Sequence, residues 1–134
     1  MVVVLLLAPV ASQPKSSLLA VIVHPERTAT TSIDELAQIY LRRKRFWSDG
    51  NPIVPLNLPA GTPLREEFSR SVLRQSEARL AEYWNRQYFY GILPPATLAS
   101  TDAVLRYVAS ERNAIGYVPV SEADDSVRVV LRLD

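Results

Sequence analysis

Six consecutive apolar residues, Leu18-Leu19-Ala20-Val21-Ile22-Val23, stop abruptly at His24-Pro25. A strand with one wet face alternates apolar and polar side chains, so an unbroken run predicts a strand covered on both faces, as in a parallel α/β sheet. A helix signal follows. In Ser32-Ile33-Asp34-Glu35 the serine can accept a helix N–H and Glu35 can reach back, after which Leu36, Ile39 and Tyr40 share one face. Ile53 to Leu58 then supplies a short apolar segment whose Pro55 suits a place near a sheet edge. The first half therefore predicts a β-α-β unit.

The second half continues in the same style. From Thr62 a helix carries Leu64, Phe68 and Val72 at four-residue spacing. Ser76 caps another with Leu80, Trp84 and Tyr88, and Gly91 with Pro94-Pro95 ends it. The helical spacing of Tyr83, Trp84, Tyr88, Phe89 and Tyr90 predicts packing against the sheet rather than a ligand box. Ser100-Thr101-Asp102 opens a further helix, and Asn113 sits where a chain leaving a helix often turns left-handed. Ala114 to Val118 reads as a strand in which Gly116 leaves room for close approach, and Ser126 to Leu133 alternates like an edge strand. The expected fold class is α/β: a small, largely parallel sheet of about four strands flanked by helices.

At 134 residues the chain has one domain's worth of sequence. Residues 1–12 are apolar but too short to span a bilayer, which takes roughly 20 residues. They match the core of a signal peptide, with Val10 and Ser12 small enough to precede a cut before Gln13, so the expected order is a leader over 1–12, a linker over 13–17 and a domain over 18–134. Export without stable membrane insertion follows as the expectation. A formal net charge of +1 gives no broad footprint for nucleic acid, and Arg42-Arg43-Lys44-Arg45 reads as a solvated helix end.

Chemistry is limited by what the sequence lacks. It holds one histidine and no cysteine, with no G-x-S-x-G elbow, H-E-x-x-H or phosphate-cradling P-loop motif, so no catalytic, metal or cofactor arrangement is expected. The informative stretch is Asn57 to Phe68, which reads as a strand end, a tight turn and a helix start. Gly61 permits positive φ, Thr62 can cap and Pro63 suits the first helical position. Free N–H groups there would face a small anion. His24, at a strand end, is a possible further contact.

Several segments taken together resemble the small, PstS-like phosphate-binding proteins of ABC transporters, in the periplasmic binding protein superfamily. They are Leu19 to Pro25, Ser32 to Leu41, Trp47-Ser48-Asp49-Gly50, Ala60 to Phe68 and Ala114 to Val118, in the family's order. The resemblance is to one lobe. It implies that Gly61, Thr62, Leu64 and Arg65 hold phosphate or a related oxyanion, through the Thr62 hydroxyl, the Leu64 and Arg65 amides and an inward Arg65 side chain. It also implies a transporter as partner. The chain departs from the family pattern at His24, where Asn is frequent, at Arg42, where Gly is frequent, and at Leu58-Pro59, where an Arg often precedes the turn. An interaction module that keeps the fold without useful ligand affinity is the alternative expectation; an enzyme acting on a phosphorylated substrate is a weaker third.

Overall fold

The strand formed by the long apolar run, β1 (Leu19–Val23), lies between two others, and each of its five residues is at most 1% exposed. The computed structural model describes residues 2–5 and 19–134, so the expected leader and linker fall almost wholly outside the described residues. After β1 come α1 (Ile33–Tyr40), β2 (Val54–Asn57), α2 (Pro63–Phe68), α3 (Glu77–Tyr88), β3 (Ala96–Thr97), α4 (Thr101–Ser110), β4 (Ala114–Pro119) and β5 (Arg128–Leu133). The sheet order is β3-β2-β4-β1-β5.

Two pairings, β2 with β3 and β2 with β4, are parallel, whereas β1 is antiparallel to both β4 and β5. Four strands thus point one way and β1 alone runs against them. The α/β architecture holds, with helices against a mainly co-directional sheet, but the expected β-α-β unit does not: β1 and β2 are oppositely directed and separated by β4. Burial on both faces makes a strand apolar throughout whichever way it runs, so the residue pattern carried no direction. The two-residue β3 was also not foreseen.

Helix starts follow the local chemistry. Ser32, Ser76 and Ser100 each accept a hydrogen bond from the backbone N–H three residues on, at 3.1–3.2 Å. The Glu35 side chain goes to Lys44 instead, 3.3 Å away. α2 passes directly into a π-helical turn over Ser69–Leu73, which still buries Phe68 and Val72. Pro55 is tolerated inside the sheet because the Val54 N–H bonds Asn113 toward β4, leaving the Pro55 nitrogen facing β3, whose pairing begins only at Leu56.

The two faces of β4 carry different helices. Gly116 lies under α4, where an added Cβ would meet Val104 at 2.6 Å. One residue on, Tyr117 points to the opposite face. There it stacks on Phe68 of α2, which in turn meets Tyr40 of α1 edge-on at 4.6 Å. Trp47 is a core plug, 5% exposed, with its indole N–H on the Asn113 carbonyl. Asn113 itself is not left-handed; its side chain accepts from the buried Arg27 guanidinium at 2.8 Å. The five clustered aromatics do not pack on the sheet: Tyr83 alone is buried, in a small separate cluster with Leu41 and Leu80, while Tyr88, Phe89 and Tyr90 stand 68–86% exposed. Phe89 and Tyr90 follow the end of the helix at Tyr88, so its periodicity no longer applies to them.

Candidate functional site

The carboxyl end of β2 runs through the buried Leu58 into a turn closed by the Thr62 N–H on the Pro59 carbonyl at 3.2 Å. Gly61 has φ +87°, and nothing lies within 4 Å of where a Cβ would project. Only a residue without a Cβ adopts that backbone freely, which is why the turn has its glycine there. Thr62 is the N-cap by position, with Glu66 donating to its carbonyl at 3.0 Å. Its hydroxyl neither caps the helix nor stands free. It donates to the Pro59 carbonyl at 2.8 Å, so its single proton is already used.

Pro63 occupies the first helical position, so the next two N–H groups, on Leu64 and Arg65, are first-turn donors with no intrahelical acceptor. Among the described residues neither has another partner. Leu64 borders a hollow of about 440 Å³ whose other walls include Leu58 and Thr62 from this turn, and Ser100, Thr101 and Pro119 from across it. Two helix N-termini, of α2 and α4, therefore meet at the carboxyl ends of β2 and β4. Each contributes the positive end of a helix dipole, worth about 0.3–1 kcal/mol toward an anion at an exposed site. Sequence reading found both helix starts but not their convergence, because that depends on β2 and β4 being neighbours.

Acidic groups temper this field. Glu67 lines the hollow, and Glu122 accepts the Thr101 hydroxyl proton. Asp102, in the first turn of α4, is paired with Arg106 at 2.8 Å. No cluster of three metal-ligating side chains occurs among the described residues, and no helix there is long and apolar enough to cross a membrane.

Solved structures with a similar fold are known. A Clostridium perfringens protein described as a phosphate ABC transporter substrate-binding protein, solved with phosphate bound, superposes with TM-score 0.69 at 24% identity over 85% of this chain and 45% of its own. An ABC-type phosphate transport receptor from Vibrio cholerae gives 0.68 at 16% identity, over 92% of this chain and 52% of its own. PstS from Borrelia burgdorferi gives 0.66 at 15%, over 85% and 47%. The fold is that of one PstS-like lobe. This chain spans about half the length of those proteins. No family model matches the sequence, and neither does any curated protein.

Within this fold the five residues singled out from sequence divide into three groups. Gly61, Thr62 and the Leu64 and Arg65 amides are together at the turn. The Arg65 side chain is not: it turns inward, away from the hollow, donating to the Leu58 carbonyl at 2.9 Å and approaching Glu77 at 3.5 Å. His24 is at the opposite end of the strands. Leu19 pairs with Pro119, which borders the hollow, whereas Val23 pairs with Ile115, so His24 emerges about five residues, or roughly 16 Å, further along. There its Nδ1 accepts the Glu26 N–H at 3.1 Å and closes a turn. The antiparallel course of β1 removes His24 from the site.

Proposed function

We propose that this chain binds phosphate or a related oxyanion, without covalent chemistry, in the hollow between the N-termini of α2 and α4, as an exported component of phosphate transport. The observation that carries this reading is the start of α2, where the Leu64 amide has no partner among the described residues and Leu64 lines a hollow shared with a second helix start, in a fold similar to that of a protein solved with phosphate. Backbone donors supply the attraction, since the nearby cation, Arg65, is engaged with Leu58 and Glu77. The helix-capping residues have no catalytic partner, so capture and release is the whole of the proposed chemistry.

Calorimetric titration with inorganic phosphate tests the proposal, with Thr62→Asp as the informative variant. An aspartate at the N-cap can cap the helix and complements its dipole, which offsets the lost hydroxyl bond to Pro59, so folding stability changes by no more than about 1 kcal/mol. The same carboxylate repels an anion at the hollow, so the phosphate heat disappears. Equal heat in both proteins, or none in the wild type at millimolar phosphate, overturns the proposal. A second reading, an interaction module that retains the fold, draws on the exposed Tyr88, Phe89, Tyr90 and Leu93. It gains weight if the wild type shows no heat.

A further inference from the structure

At the end of α3 three aromatic side chains in a row, Tyr88, Phe89 and Tyr90, stand in solvent, and Leu93 joins them beyond the Gly91 turn. Exposed apolar side chains scattered singly need no explanation, but four within six residues form a patch. Phe89 keeps helical backbone angles as the C-cap, so successive side chains step about 100° around the axis and the three rings fan over roughly 200°. Tyr88 and Phe89 meet edge-on, 6.3 Å between centroids and 79° apart in plane. The result is an apolar knob rather than a flat apolar face.

The charges around it are cationic. Between Glu82 and Asp102 the only charged side chain is Arg86, two residues before the knob. The basic run that ends α1 lies alongside: the Tyr83 hydroxyl donates to the Leu41 carbonyl at 2.7 Å, and the Arg43 guanidinium sits over the Tyr83 ring at 5.5 Å. Tyr83 precedes Tyr88 by five residues, about 7.5 Å along the axis. Arg43 and Arg86 are exposed, and neither is in an ion pair among the described residues. Glu82 is the one carboxylate on the last two turns of α3.

We infer that this knob docks peripherally on an anionic lipid surface, with Phe89 and Leu93 at the acyl boundary, the Tyr88 and Tyr90 hydroxyls at headgroup level, and Arg43 and Arg86 toward lipid phosphates. A fan of rings suits a fluid interface, which closes around every side of a knob, whereas a protein face meets one side and needs a shaped pocket for its anchors. Tyrosine is apolar along its ring and wet at its hydroxyl, so a layered interface satisfies both ends. No charge from Gln87 to Thr101 has to be desolvated, and the flanking arginines are complementary to anionic headgroups. This inference stands independently of the oxyanion reading, and it gives the exposed aromatics to lipid in place of a protein partner.

The test is co-sedimentation of the full chain with vesicles of phosphatidylcholine and phosphatidylglycerol in equal parts, against phosphatidylcholine alone. Binding to the anionic vesicles is expected, weakened by salt and at least several-fold weaker on the neutral ones. Phe89→Ser with Tyr90→Ser should lower the partition coefficient by about tenfold or more with an unchanged thermal melt, since both side chains are exposed. Arg86→Gln should lower it several-fold on anionic vesicles only. Val2–Leu5 is exposed and apolar as well, so Phe89→Trp supplies a signal from the knob itself: a blue shift on adding vesicles and quenching by brominated lipid. Absence of binding to anionic vesicles, equal binding by the Ser variant, or a Phe89→Trp emission that shifts with protein concentration but not with vesicles overturns the inference, the last by assigning the knob to a second copy of the chain.

Discussion

The rings of Phe68 and Tyr117 lie parallel, 4.0 Å between centroids and 4° apart in plane. Phe68 is three residues beyond Arg65 on the same helix, so this stack pins α2 to β4 immediately below the first-turn amides. Tyr40 adds an edge contact to Phe68, and its hydroxyl donates to the Leu56 carbonyl at 2.7 Å at the other side of the same strand end. Phe68→Ala should therefore cost about 3–5 kcal/mol, the range for removing a fully buried phenyl ring. Urea denaturation reads it directly, and an effect below about 1 kcal/mol would contradict the stack's role.

Burial also gives the two tyrosines a pH signature. Desolvation pushes the Tyr40 hydroxyl well above its ordinary value of 10.0, with Tyr117 adding to the rise, and desolvation likewise raises Tyr117. In the unfolded chain both titrate near 10.0. A group whose folded pKa is raised supports stability fully below its unfolded pKa and loses that support as pH climbs toward the folded value. The protein should therefore be insensitive to these groups at neutral pH and destabilise progressively above pH 10. Tyrosinate absorbance for Tyr40 and Tyr117 should appear together with unfolding, and Tyr117→Phe should flatten the alkaline loss. Ionisation of both rings before unfolding would sink the prediction.

Arg42 has φ +63°, a left-handed backbone that penalises a side chain. It follows α1, with the Arg42 N–H on the Ile39 carbonyl and the Arg43 N–H on the Gln38 carbonyl, the bonding of a Schellman C-cap. Gly91 fills the corresponding place after α3, with φ +74° and matching bonds from Gly91 to Tyr88 and Ile92 to Gln87. Arg42→Gly should stabilise the protein by about 0.5–1 kcal/mol, also removing a buried Nε that has no acceptor among the described residues. A thermal melt of the variant checks the sign.

Gly116 is needed for closeness rather than for φ. An added methyl meets Val104 at 2.6 Å and Val108 at 3.5 Å, so Gly116→Ala should cost about 1–3 kcal/mol by forcing α4 off the sheet. Val104→Ala in the same background should recover part of that loss, and a double-mutant cycle with no coupling would show that the contact is relieved elsewhere.

Capping was the most legible part of the chain, because a serine hydroxyl and an amide three residues on need nothing from the rest of the molecule. Ser32, Ser76 and Ser100 all do what their neighbours dictate. The glycine turn at Gly61 and the edge placement of Arg128–Leu133 were readable from sequence, although the strand's burial does not alternate and its pairing with β1 shifts register between Leu131 and Val129. Thr62 marks the boundary: its position follows from sequence, but its hydroxyl proton goes to Pro59 through a turn geometry that composition does not specify.

Segment by segment, then, residue order alone determined which stretches are helices, which are buried strands and where the glycine turn before α2 sits, since periodicity and caps act over a few residues. Tertiary structure decided the direction of β1, hence the removal of His24 to the far end of the strands, the inward turn of the Arg65 side chain beside Glu77, and the meeting of α2 and α4 at one hollow. Each of these depends on which strands become neighbours and in what sense they run, and a strand covered on both faces shows the same apolar run in either direction.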